Sequence, residues 1–502
     1  MKGIKKIIKN GFLVIAASAI TVSCSEDFLD VNENPNDPSV STPGLTLPVA
    51  QETFASLNAT DMVEVGQYFM YNWAVPSNWS ANSDLLRYNV TSSFYTSIFE
   101  VSYASIFKNL TYVENYTDAS GAVDYTAYDA IAETVKGFQY QYLVDLYGDV
   151  PFYEANLRGE NTTPAYDDAE TVYKAVIDSL TTAATKALDL PENAENPGDH
   201  DIIFGGDMNK WAQFANTIKL RMLIRLSNTG QDSYIQDQID AIQANGAGFI
   251  TSNVTANPGY SKNENQQNPF WAYTGFETSG TETDEHDINV ATDYVINYLE
   301  QKNDTLRLER LYAEAKNGGY KGVQQSIDLP GEGFTSDDLS AVGPGLLKSA
   351  DQDQPIMLLS EALFLQAEAV QRGYLDGGED MAKDLYQQGI EASFKYLEVE
   401  DAAQAAEDYY TQSLENVSWD ASPNKIEAII TQKWIALNGT SSIESWMEWV
   451  RTGYPSGLPT STDSDGVRPV RLLYPTSEYS TNSDNVPATS TDDAFNNPPF
   501  WK

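Results

Sequence analysis

Tryptophan sits beside asparagine in two segments where no helical period continues. Tyr71-Asn72-Trp73 and Ser77-Asn78-Trp79 lie at and just past the end of the first periodic apolar stretch. Pro76 between them breaks the helical pattern. Asn268-Pro269-Phe270-Trp271-Ala272-Tyr273 lies far along the chain in a Gly- and Asn-rich stretch. A flat indole face covers the C–H face of a pyranose ring, and amide groups meet its hydroxyls. Trp73, Trp79 and Trp271 are therefore candidate stacking residues, with Asn72, Asn78 and Tyr273 as polar companions. The same rings can instead plug gaps between loop and body, because buried tryptophan is common. If they bind, the three indoles are expected on one shallow exposed platform. Trp211, Trp434, Trp446 and Trp449 fall in helical patterns and read as core.

Catalytic chemistry has little support. The chain has two histidines, His200 and His286, far apart in sequence, and one cysteine, Cys24. There is no His-Glu-x-x-His and no cysteine pair for zinc. A Gly-x-Ser-x-Gly elbow, a Walker loop and a dinucleotide glycine pattern are also missing. Asp463-Ser464-Asp465-Gly466 looks partly like a calcium loop. It has Ser461 where the first acid belongs and Leu472 where the closing Glu belongs, which excludes an EF-hand. The acidic stretches Glu282-Thr283-Asp284-Glu285-His286-Asp287 and Asp351-Gln352-Asp353 can hold calcium or be solvated loops. The 72 Asp and Glu residues leave a paired-carboxylate hydrolase open, since sequence does not show spatial separation. The reading is a non-enzyme without cofactor or metal.

These residues need a scaffold, and the chain supplies a mostly helical one. Apolar residues recur near helical spacing over residues 47–71, 93–116, 125–147, 167–188 and 209–226. Gly148 and Pro151 stop the third of these, and acidic residues open the fourth. Residues 246–280 and 317–355 are rich in Gly, Asn, Asp and Pro and lack that period, so they read as long, functional loops. Helical patterning resumes over 355–369 and 380–397, around a Gly-rich break at 373–378. That is an αα-hairpin whose alanines permit close approach, as in tetratricopeptide-like pairs. Residues 426–438 and 443–451 complete the helices, and a Ser/Thr/Asp/Pro-rich tail follows.

The first thirty residues address the chain. Lys2, Lys5, Lys6 and Lys9 precede a short apolar run that ends at Thr21-Val22-Ser23-Cys24. The pattern is a secretory signal too short to span a bilayer. A cysteine directly after the small residues makes it a lipoprotein signal, with Cys24 lipidated after cleavage. The expected organisation is a signal over 1–23, a lipidated tether over 24–46 and one domain over 47–502. Loss of residues 1–23, with four lysines and no acid, takes the formal charge from −42 to −46. Such a charge repels polyanions, so nucleic acid is excluded and a neutral glycan is favoured over an anionic one. No second cysteine remains for an intramolecular disulfide, and stability must come from a large core.

Several segments, in order, carry a family resemblance. They are 145–152 (DLYGDVPF), 214–221 with Phe214-Ala215-Asn216 and Lys219-Leu220-Arg221, and 358–369 with Glu361 and Glu368. Then come 444–451 with Trp446, Trp449 and Arg451, 471–475 (RLLYP), and the closing Phe500-Trp501. Ser25-Glu26-Asp27 resembles the acidic export tag of Bacteroidetes surface lipoproteins. The chain resembles the SusD/RagB family, nearest its second SusD-like subgroup, over nearly the whole mature length. The resemblance implies a mostly α, tetratricopeptide-like helix-pair superhelix with long irregular loops carrying the ligand site. It implies a non-catalytic surface lipoprotein of the outer membrane that captures oligo- or polysaccharide. A SusC-like TonB-dependent transporter would be its partner. With the charge, it points to a neutral glucan such as a marine storage β-glucan. A secreted glycan hydrolase and a peptide-binding lid of the same family are the alternatives.

Overall fold

The computed structural model describes residues 41–118 and 120–502. Cys24, the signal and most of the expected tether lie outside the described residues. Pro43–Lys502 is one unit. Helix α1 spans Pro43–Ala59, so the body starts inside the expected tether. A proline at the first helical position has its φ preset and loses no hydrogen bond. The helix expected to run to Tyr71 is two helices. It breaks at Thr60 (φ −112°, ψ −94°), and α2 spans Asp61–Phe69. Residues 97–114 are helical with a π-helical turn, Ser102–Phe107, in the middle.

The long helices follow. α3 is Thr126–Tyr147 and α4 is Ala169–Leu188, N-capped by Asp168, whose carboxylate accepts from Thr171 N. α5 is Met208–Arg225, capped in the same way by Asp207. α6, Asp232–Asn245, was not expected; it buries only Ile235, Ile239 and Ile242 of an otherwise polar sequence. α7 (Leu359–Arg372) and α8 (Gly378–Tyr396) form the expected αα-hairpin, and α9 (Lys425–Leu437) and α10 (Ser442–Thr452) complete the set.

Neighbouring helices pack as pairs: α3 on α4, α4 on α5, α7 on α8, α9 on α10. α7 also packs on α9, and α10 closes back on α2. This is the tetratricopeptide-like helical fold that the sequence implied. Two glycines set contact distances. A Cβ on Gly66 of α2 would lie 2.2 Å from the backbone N of Ile443, at the start of α10. One on Gly389 of α8 would lie 2.7 Å from the Phe364 ring of α7.

The helices meet over buried charges. Arg225 forms ion pairs with Glu444 (2.6 Å), Glu448 (3.1 Å) and Asp145 (3.4 Å); Lys433 forms them with Glu444 (2.8 Å) and Glu448 (3.1 Å). Arg451 pairs with Glu368 and Glu448, and Arg221 with Glu361. The Trp501 indole N–H donates to Asp145 at 2.7 Å. Most of these residues lie in the segments that carry the family resemblance, so those motifs describe a buried ionic lattice rather than a ligand site.

Two short antiparallel ladders tie the irregular loops to this body. β1 (Trp73–Ala74) pairs with β3 (Val290–Ala291), in register Trp73 to Ala291. β2 (Val254–Ala256) pairs with β4 (Gln354–Met357), where the sequence had suggested the start of a helix.

Candidate functional site

The β1–β3 ladder decides the fate of the first candidate tryptophan. Trp73 is in the ladder and only 1% exposed, edge-on to Tyr68 at 6.4 Å. Asn72 is fully buried, its amide donating to Gln67 Oε1 at 2.8 Å. Both belong to the core, so the structure corrects the expected three-indole platform. The ladder partner comes from a distant part of the chain, which local sequence does not show.

Past Pro76 the chain turns outward. Trp79 is half-buried and its indole N–H donates to Asp287 Oδ2 at 2.6 Å. Asn78 is exposed, and its amide reaches the same oxygen at 3.3 Å and Ser336 Oγ at 3.2 Å. Burial alone would raise the Asp287 pKa. Hydrogen bonds from Ser336 and Trp79, with Lys316 nearby, outweigh it and hold the carboxyl below its usual value. Asp287 is thus a fixed anion that sets the angle of the Trp79 ring.

Trp271 and Tyr273 sit on a π-helical turn, Trp271–Gly275. Such turns are rare and recur at functional sites. Trp271 is half-buried; its ring lies 5.0 Å from Phe276, which lies 5.0 Å from His286. The Trp271 indole N–H is buried without a hydrogen-bond partner. His286 faces the Thr274 carbonyl through Nδ1 at 3.1 Å. A carbonyl only accepts, so Nδ1 carries the proton. Burial holds the ring below its usual pKa against the pull of Glu282, so it is neutral at pH 7, with Nε2 free to accept.

The short helix Asp284–Ile288 joins these groups. Asp287 holds Trp79, and His286 ends the aromatic row. Glu285 accepts from Asn289, which in turn accepts the Tyr68 hydroxyl. Behind it lies Glu64, which takes hydroxyl hydrogens from Tyr95 (2.7 Å) and Tyr273 (3.0 Å) on one oxygen. Burial, then repulsion from Glu285, lifts the Glu64 pKa to about 7. A cavity of about 430 Å3 opens beside Phe276, His286 and Asp287, and Lys316, Leu339 and Leu347 also line it.

The structure therefore groups Trp79 with Asn78, and Trp271 with Tyr273, around one short helix. Sequence reading missed Asp287 and Phe276 as site residues, and Glu64 entirely. It had marked residues 282–287 only as an acidic loop able to hold calcium. Among the described residues, no group of three His, Cys, Asp or Glu is placed to hold a metal ion. No helix among them is long and apolar enough to cross a membrane.

A helix-pair body that displays half-buried aromatics on tied loops beside a cavity has the architecture of the SusD-type proteins. The model of the SusD-like group 2 family, described as "Starch-binding associating with outer membrane", matches residues 35–475. The chain belongs to that family. Among solved structures it is similar to a chitin-binding protein, at 26% identity and a TM-score of 0.70, covering 88% of this chain and 95% of that one. A chitin-binding SusD homologue from Flavobacterium johnsoniae matches at 20% identity and 0.69, over 88% and 92%. A SusD homologue from Bacteroides uniformis matches at 22% and 0.69, over 91% and 99%. No curated protein matches the chain.

Proposed function

We propose that this protein captures a neutral glycan at the cell surface and hands it to a SusC-like TonB-dependent transporter. The observation that carries the reading is a cavity lined by Phe276, His286 and Asp287, with Trp271 packed against Phe276 and Trp79 hydrogen-bonded to Asp287. Partly open rings meet the apolar faces of sugars. Asn78, Asp287 and the neutral His286 supply donors and acceptors for hydroxyls. The surrounding acidity favours an uncharged polymer over a uronate or sulfated one. Two neutral classes suit this chemistry. One is a glucan, including a marine storage β-glucan, and the other is the N-acetylglucosamine polymer named for two similar structures.

Export rests on the sequence, with lipid on Cys24 and the acidic tag directing the protein to the outer face of the outer membrane. Binding without cleavage is the expected chemistry. Affinity electrophoresis against laminarin, starch, glycol chitin and alginate tests the reading. At least one neutral polymer should retard the protein and alginate should not. Retardation by alginate alone, or release of shorter sugars on long incubation, overturns it.

A further inference from the structure

A second cavity, of about 400 Å3, shares no residue with the site above. One wall is the π-helical turn Ser102–Phe107. Its Tyr103 ring is half-buried and locked in place. The hydroxyl donates to the Pro151 carbonyl at 2.7 Å, and the ring packs 4.8 Å from Phe99 and 5.2 Å from Phe107. The facing wall is the loop over 151–164. Glu154 braces it by accepting from Asn161 (2.8 Å) and the Ala165 backbone (3.0 Å). Asn482 and Asn485 hold the same loop through the Pro164 and Thr163 carbonyls, each at 2.9 Å. Glu478 closes one end, one of its oxygens taking the Tyr166 hydroxyl at 2.7 Å. The cavity is thus preformed, and its size suits a small ligand.

Two lining groups are left without protein partners. The Asn156 amide makes no hydrogen bond and the Lys108 ammonium no ion pair among the described residues. Asn156 has φ 60°, a conformation that glycine adopts more cheaply. Among the described side chains that line this space, Glu100 and Glu478 outnumber Lys108, which disfavours an anionic guest.

We propose that this cavity is a second saccharide site. It takes a short stretch of neutral pyranose units, with the Tyr103 ring as the platform and Asn156 and Lys108 as donors. Two sites on one body raise the affinity for a long polymer above that for a short oligomer, without new contacts.

Titration calorimetry and crystal soaks with cellohexaose, laminarihexaose and chitohexaose test this. With at least one probe, the wild type should bind at two places. Trp79→Ala should leave the Tyr103 cavity occupied. Ala104→Trp places a large side chain on an exposed lining position, and should empty that cavity while leaving the first site intact. Asn156→Gly keeps the backbone conformation and should weaken the second event by about two- to tenfold. Thermal melts confirm that each variant is folded. Occupation of the first site alone in the wild type, or loss of all binding in folded Trp79→Ala, overturns the second site and leaves the capture reading standing. Failure of all three probes on the wild type overturns the second site. Failure of the whole polymer panel overturns the capture reading.

Discussion

Trp73 and Trp79 differ by six positions and have opposite roles. The ladder ends at Ala74 and Pro76 follows, so one indole is core and the other is a half-buried ring held by Asp287. Trp79→Ala should weaken glycan binding about five- to thirtyfold, for a stacking contribution of ~1–2 kcal/mol, with little change in stability. Trp73→Ala should do the reverse: it leaves a cavity that costs about 3–5 kcal/mol in urea unfolding. The sequence showed which residue types were present but not which would be tied down, because that depends on Ala291 across the ladder. Glu64 was invisible for a related reason. Nothing local marks a glutamate whose partners, Tyr95, Tyr273 and Glu285, come from three other segments. Its folded pKa of about 7 lies above the value near 4.5 of an unfolded chain. The folded state then binds the extra proton. Glu64 should make stability fall as pH rises from about 4.5 to 7, with no further change above. Glu64→Gln removes the charge, so its stability should be flatter over that window and exceed wild type at pH 8 by up to about 3 kcal/mol. Denaturation curves at pH 5, 6, 7 and 8 check this; equal slopes for both proteins would refute it.

At the scale of elements, helical period located most long helices to within a few residues. It failed where tertiary pairing overrode it. Gln354–Met357 is apolar enough to begin a helix but forms a strand against Val254–Ala256. Asp232–Asn245 has too narrow an apolar stripe to stand out, although its three isoleucines are buried. The motif segments were legible as motifs, but their purpose was not. Asp145, Arg221, Glu361, Glu368, Glu444 and Arg451 look like functional charges and are instead the joints between helices. Glu444 accepts from both Lys433 and Arg225. Glu444→Ala strands buried cations and should cost about 3–5 kcal/mol, read as a lower urea midpoint. A change under ~1 kcal/mol would mean that Glu448 alone satisfies both cations.

On the scale of the whole molecule, the proposed export address occupies the first 27 residues, far in sequence from the candidate site. Cys24→Ala should leave an unprocessed precursor or release the protein from membranes, shown by fractionation and by mass analysis of the N-terminus. Wild-type protein that resists protease on intact cells would contradict surface display. The family was legible in the sequence because a lattice of core charges spreads along the whole chain, whereas the candidate site residues are few and partly enclosed. Those residues have their own arrangement along the gene. Trp271, Tyr273, Phe276, His286 and Asp287 fall in one short run, fastened at one end by Asn268 to Gln354 and at the other by the β3 ladder. Both fastenings lie outside the run. A recombination that exchanges only these few codons would recast one side of the proposed site on an unchanged body, with Trp79 and Asn78 left in place.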